Sequence, residues 1–171
     1  MTPPSRIQWL SDLIRLEIAL WDRIDTQLRQ EHDLSVAFFE ALFFIGQSRH
    51  GSLRVGDLAR ALRITVGATS KLVDRIERAG LIRRELDADD RRASRVVLTD
   101  AGKRTLADAS ATYEAEMATV LDVTLSLDEQ QRMHDFVTRL LAASDDGEPH
   151  DDYDARRRVG GPGIPGSAPD P

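Results

Sequence analysis

Cysteine is absent from the 171 residues of this chain, and aromatic side chains make up only 5% of it. Without cysteine the chain has no disulfide, no thiolate zinc site, no cysteine nucleophile and no cysteine-based redox sensor. Its four histidines are widely scattered and lack the paired spacing of a metal site. Paired catalytic carboxylates, a nucleophile beside a base and a phosphate-cradling glycine loop are missing as well. We therefore expect no enzyme, no cofactor and no metal.

Long hydrophobic runs are also missing. No apolar stretch approaches the roughly 18 residues that would suggest a membrane span. The first residues, MTPPSR, lack the basic-then-apolar order of a signal peptide. The sequence therefore predicts a cytoplasmic protein with no membrane partner. Apolar residues make up 41% of the chain, which is enough for one folded core.

The net charge of -6 is unevenly divided along the chain. Residues 50–104 carry 13 Lys and Arg against 8 Asp and Glu, a balance of +5, whereas the remainder carries 10 against 21, a balance of -11. A basic middle between acidic ends suggests a localised nucleic-acid footprint, which the overall charge conceals.

Helical periodicity dominates both ends of the chain. Apolar residues recur at helical spacing over about residues 5–31, and a second, almost wholly apolar helix follows. Ser5 with Gln8, and Ser126 with Glu129, have the spacing of capping boxes that would open the first and the last helix.

The spacing of apolar residues changes in the middle of the chain. Two short helical patterns, at 55–62 and 66–76, are separated by three residues, and Gly80 ends the second. Residues 81–86 and 94–98 are typical of two strands, joined by a polar, highly charged loop. This order predicts a mainly α fold with a small β-hairpin: a winged helix-turn-helix domain with long N- and C-terminal dimerisation helices.

A helix-turn-helix unit can place its second helix in a DNA major groove, which is about 12 Å wide. Because the duplex is anionic, this function requires cations on the exposed side of that helix and in the hairpin loop. The sequence provides Lys71, Arg75 and Arg78 on the helix, and Arg91 and Arg92 in the loop. The alternative interpretation of these basic residues is a solvated surface without a partner.

Four motifs follow one another through this region: DLA at 57–59, SKLVDRIERAGLI at 70–82, DDRR at 89–92 and VLTDAG at 97–102. In this order they resemble the MarR family of winged helix-turn-helix transcriptional regulators, and the resemblance extends over about residues 5–145. The wing sequence Asp-Arg-Arg followed by Leu-Thr-x-x-Gly is the most discriminating part.

The resemblance implies which residues meet DNA. Arg92, beside Arg91, matches a wing-tip arginine placed in a minor groove, which is most attractive where A·T-rich sequence narrows it. Asp90 matches the acid that orients this arginine, although it is also a common turn-forming residue. Arg54 matches a phosphate contact, while Gly67 and Ala68 replace the Ser, Thr or Pro common in the family. The positions that match the major-groove contacts are Thr65, Val66, Gly67, Ser70, Lys71 and Arg75.

The resemblance also implies a homodimer whose terminal helices intertwine, over a pseudo-palindromic, double-stranded DNA operator. It further implies a ligand-responsive repressor, with a small aromatic or anionic effector bound between the dimerisation helices and the DNA-binding lobe. Aromatic residues at helical spacing are also typical of a core, so both interpretations stay open for the candidates. The candidate effector-binding residues are Trp9, Trp21, Phe38, Phe39 and Phe43.

We expect the regulator to span residues 1–145, with dimerisation helices in 5–46 and 100–145. The DNA-binding lobe is expected at 53–99, with its wing at 86–94. Residues 146–171 are acidic and rich in Gly and Pro, which predicts a disordered tail. The alternative function is a dimeric protein-interaction module on the same fold, without specific DNA binding.

Overall fold

The computed structural model describes residues 5–86 and 94–144. The predicted mainly α fold with a small β-hairpin is confirmed. In chain order the described elements are α1 (Arg6–His32), α2 (Val36–Gln47), β1 (Ser52–Arg54), α3 (Val55–Leu62), α4 (Val66–Arg78), β2 (Ile82–Leu86), β3 (Ser94–Leu98), α5 (Asp100–Thr124) and α6 (Leu127–Ala143).

The strands form an antiparallel sheet in the order β1-β3-β2. The β2–β3 hairpin is the one that the sequence predicts, with Ile82 opposite Leu98. Strand β1 was not predicted, because it has only three residues and follows a polar stretch without alternation. It forms through pairing with a distant segment, which places Leu53 opposite Val96.

The core lies between α2, the pair α3 and α4, and the sheet. Leu42, Leu58, Ile76 and Val96 are fully enclosed, one from each of these parts. Helix α1 reaches the core only through its C-terminal turns, where Leu28 is buried. The middle of the chain is therefore a packed lobe from which the two terminal helices extend.

Both terminal helices leave apolar side chains uncovered. Ile7 in the first turn of α1 is 80% exposed, and α6 has no buried residue. Phe136 and Leu140 belong to an apolar stripe of α6 that faces solvent. Among the described helices, none combines the length and apolar character needed to cross a bilayer.

One of the two predicted capping boxes is present. At α6 the Ser126 hydroxyl accepts from the Glu129 backbone N–H, and the Glu129 carboxylate accepts from the Ser126 backbone N–H. The predicted box at α1 is wrong, because Ser5 makes no side-chain cap bond there. Gln8 donates instead to Asp12, one turn further along the helix, at 3.0 Å.

Four residues form a tight joint where α4, the hairpin and α5 meet. Thr99 donates its backbone N–H to the Leu81 carbonyl (3.0 Å) and its hydroxyl to the Gly80 carbonyl (2.7 Å). The same hydroxyl oxygen accepts from the N–H of Gly102 and thereby caps α5. A Cβ on Gly102 would lie 1.9 Å from the Leu81 carbonyl oxygen, so only glycine fits. This Gly80–Gly102 joint is the physical basis of the Leu-Thr-x-x-Gly motif.

Replacing Gly102 by alanine should destabilise the protein by about 1–3 kcal/mol, because helix α5 must move away from a backbone carbonyl. A matched control is Gly56→Ala in α3, where nothing lies within 4 Å of the added Cβ. There, removal of a helical glycine should raise stability by up to about 1 kcal/mol. Urea unfolding followed by circular dichroism, at one fixed protein concentration, measures both. Equal stability of the two variants would contradict the proposed close contact.

Candidate DNA-binding surface

Helix α4 has one face in the core and the opposite face in solvent. Leu72, Val73 and Ile76 are buried on the inner side. Gly67 and Lys71, one turn apart, are exposed on the outer side. Within the described residues Lys71 has no ion-pair partner, so its charge is available to an external anion.

The first turn of α4 is polar and closely fixed. Thr65 caps the helix, since its hydroxyl accepts from the N–H of Ala68 at 3.1 Å. The Ser70 hydroxyl donates to the Val66 carbonyl at 2.9 Å and keeps lone pairs for a further donor. Val66 itself is 53% exposed. The start of the helix therefore presents an apolar side chain beside a hydroxyl that can still accept a hydrogen bond, and its N-terminal dipole favours an anion.

Arg75 lies on the flank of this surface. Its guanidinium carbon is 5.1 Å from the centroid of the Phe38 ring in α2, a cation–π geometry. The charge of Arg75 is therefore held at the edge of α4 that faces α2, whereas Lys71 extends into solvent.

The other predicted DNA contacts lie around the hairpin. Arg54 ends β1 and occupies the N-cap position of α3, where it is half-buried. Asp90, Arg91 and Arg92 lie outside the described residues and stay predictions. The described part of the wing consists of its two strands, up to the pair formed by Leu86 and Ser94.

Sequence reasoning missed a cluster that joins β2 to α4. Arg84 donates from Nη2 to Asp74 Oδ1 at 2.6 Å and from Nη1 to Glu77 Oε2, while its backbone N–H donates to Glu77 Oε1 at 3.1 Å. The hydrogen bond to Asp74 and the two negative charges raise the pKa of Arg84, against the opposing effect of partial burial. We call these three residues the Arg84 clamp. The two acids are visible in the sequence at helical spacing, but their partner appears only when β2 packs on α4.

The five aromatic effector candidates do not share one environment. Phe39 is 6% exposed and stacks on Tyr113, with ring centroids 5.0 Å apart, inside the core. Burial raises the pKa of the Tyr113 phenol, and two nearby carboxylates add to this effect. Trp21 packs against the core, Phe38 lies under the guanidinium from α4, and Trp9 is exposed on the free half of α1.

The fifth candidate, Phe43, lines an open cleft of about 570 Å³ between the end of α2, the sheet and the start of α5. Its ring is 38% exposed and forms an apolar wall together with Leu106. His50, Arg83 and Lys103 contribute polar or cationic side chains to the same cleft. Arg83 is paired with Glu85, which lines the same cleft, at 2.5 Å, and Lys103 lies 3.3 Å from Asp100. The cleft therefore combines an aromatic surface with cationic groups that already have acidic partners.

Comparison with known proteins agrees with this architecture. The sequence profile of the MarR family matches residues 32–93, from the end of α1 to the residue before β3. The transcriptional repressor MdtR of Bacillus subtilis (strain 168) is 28% identical over 136 residues, which cover 79% of this chain and 86% of MdtR. Over the matched residues this chain is similar to members of the MarR family.

Solved MarR-family structures share the fold over most of the chain. Sco3205 of Streptomyces coelicolor, determined in complex with DNA, superposes with a TM-score of 0.71 at 24% identity, covering 88% of this chain and 95% of its own. The DNA complex of MepR from S. aureus gives 0.67 at 25% identity, over 82% and 99% of the two chains. These likenesses show that the chain has the fold of the MarR-family transcriptional regulators.

Proposed function

We propose that this protein is a DNA-binding transcriptional regulator of the MarR type: a ligand-responsive repressor that binds a pseudo-palindromic operator sequence-specifically as a homodimer. The observation that carries the proposal is the outer face of α4. This face exposes small side chains and Lys71, which has no ion-pair partner in the part of the chain that the structure describes, while the inner face is fixed in the core. A rigid support of this kind is what sequence reading requires, because base contacts depend on the position of each side chain.

The first turns of α4 fit the floor of a major groove. Gly67 lets the helix come close, and Thr65 and Ser70 place hydroxyls near base edges. Val66 offers an apolar contact for a thymine methyl group, and Lys71 can reach a guanine or a phosphate. Together these residues would read a few base pairs of each half-site.

The remaining proposed contacts surround this helix. Arg54, at the start of α3, and Arg75, at the edge of α4 that faces α2, would bind phosphates, which position the protein without reading sequence. Arg91 and Arg92 would enter the adjacent minor groove, with Asp90 orienting the arginine.

The uncovered stripes of α1 and α6 support a homodimer. A 17-residue helix without a buried residue has little reason to persist in water by itself. A second copy of the chain would cover these stripes and set two copies of α4 on successive major grooves. The division into dimerisation helices and a DNA-binding lobe at 53–99 belongs to this proposal.

The cleft beside Phe43 supports a response to an aromatic acid. A ring could stack on Phe43, while Arg83 and Lys103 would exchange their partners Glu85 and Asp100 for the carboxylate, beside His50. Because α2, the sheet and α5 all border the cleft, an occupant would favour one arrangement of the lobe relative to α5. Such a shift would change the separation of the two recognition helices.

Operator binding should weaken steeply with salt, and Lys71→Ala should lower both the affinity and the salt dependence. Loss of one phosphate contact reduces the slope of log K against log salt by about one. The operator is first located by footprinting the DNA that flanks the gene, and affinities are then measured by fluorescence anisotropy. The charge-matched control is Arg29→Ala on α1, which pairs with Asp25 and should leave the slope unchanged. A wild-type chain that does not prefer its own flanking DNA at physiological salt would favour the protein-interaction module instead.

Leu140→Glu should convert a dimer into a monomer, because it puts a charge into the proposed apolar interface. Size-exclusion chromatography with light scattering measures the mass, which should be twice 19.1 kDa for the wild type. Gln131→Glu adds the same charge to an exposed polar position of α6 and should leave the dimer intact. A monomeric wild type at micromolar concentration would contradict the proposed assembly.

A monocyclic aromatic carboxylate should release the operator, and Phe43→Ala should raise the concentration required about tenfold or more, because ring burial is lost. The measurement is a titration of a panel of such acids into the protein–DNA complex. Val123→Ala removes an exposed apolar side chain elsewhere on α5 and serves as the control. An equal response of both variants would exclude this cleft as the effector site.

A further inference from the structure

Two acidic residues lie on the exposed side of the helix that is proposed to enter DNA. Asp74 and Glu77 are three residues apart on α4, and their side chains are 55% and 35% exposed. Close to a polyanion, each carboxylate disfavours binding by electrostatic repulsion. Their presence on this helix is explained if they have a role that outweighs the repulsion. That role is to hold Arg84 in the clamp.

Glu77 holds both the main chain and the side chain of Arg84. Strand β2 lies at an edge of the described sheet, so the N–H groups on its outer side have no strand partner there. The N–H of Arg84 is instead bound by Glu77 Oε1, and the guanidinium is shared between Glu77 and Asp74. These three bonds fix the position of β2 along α4 as well as its distance from it.

The guanidinium of Arg84 is thereby committed within the protein. Two of its nitrogens face carboxylates, and its side chain is only 34% exposed. In this respect it differs from Lys71, which has no ion-pair partner among the described residues. Arg84 therefore fits an internal bond better than a phosphate contact.

We propose that Glu77, with Asp74, is a positioning residue for DNA binding: by holding Arg84 it fixes the first wing strand on the recognition helix, so that both meet DNA in one geometry. The proposal rests on the sequence-specific DNA binding proposed above. Partly exposed ion pairs add little to global stability. Instead, the ion pairs of the clamp raise the fraction of molecules in which β2 is aligned with α4. The operator affinity is proportional to that fraction.

The decisive variant is Glu77→Ala, because simple electrostatics and the clamp predict opposite results. Removal of an acid near DNA should tighten binding if charge alone matters. With the clamp, operator affinity falls about three- to tenfold, the size expected from losing a small bias among conformations. Asp57→Ala in α3 is the matched control, since it also removes one acid that is paired with an arginine, Arg60. Its operator affinity should be unchanged or slightly higher.

Four further readouts separate positioning from misfolding and from a lost phosphate contact. The active fraction, from stoichiometric titration, and the melting temperature should stay near wild-type values. The salt slope should also stay unchanged, both in Glu77→Ala and in Arg84→Ala, because neither loses a phosphate contact. Hydrogen exchange should show faster exchange of the Arg84 amide in Glu77→Ala but not in Asp57→Ala. Glu77→Gln, which keeps the side-chain shape, replaces the alanine variant if that one fails to fold.

Each outcome decides the proposal. Wild-type operator affinity or tighter binding in Glu77→Ala overturns the clamp while leaving the proposed function intact. A salt slope lowered by about one in Arg84→Ala makes Arg84 a phosphate contact and also overturns it. A wild-type chain without sequence preference overturns the proposed function, and the role of the clamp with it.

Discussion

The close approach of Gly102 to the Leu81 carbonyl, which leaves no room for a Cβ, brings three parts of the protein together at one point. Helix α4 ends at this place, the first wing strand begins there, and α5 starts its path toward the proposed dimer interface. The Thr99 hydroxyl bonds to both sides of the contact. These bonds join backbone to backbone or to a short side chain, so they fix the first turn of α5 at the end of α4. The rest of α5 is not held by this joint.

This joint and the Arg84 clamp act on the beginning and on the middle of β2. At one end, Gly80 and Thr99 tie the beginning of the strand to the end of α4. Two residues further along, Glu77 binds the main chain of Arg84. A strand held at two places along a helix can neither slide nor rotate, which gives a short hairpin a defined direction despite its small share of the core.

The elements that the sequence predicted well are those determined by local pattern. Six helices and the hairpin follow from apolar period, caps and the glycine after α4, since each of these signals lies within one element. Strand β1 could not be found in this way, because its partner Val96 is far along the chain. At Ser5 and Gln8 the pattern was misleading, since Asp12 offered the Gln8 amide a better acceptor. The exposed face of α4 was predictable from helical phase, whereas the Arg75–Phe38 contact depends on how α4 packs on α2.

Helix α6 makes no buried contact within its own chain, and we expect it to need packing from another chain to be stable. It has a complete capping box and an apolar stripe, yet none of its residues is buried within one chain. Under the proposed dimer, its ordering coincides with association, so the fold of this region is a property of two chains and depends on their concentration. The population of assembled regulator then rises with the square of the chain concentration when chains are scarce. The uncovered stripe thus makes the proposed DNA-binding form depend on chain concentration. At concentrations too low for dimerisation, most chains would be monomers that do not bind DNA as a pair.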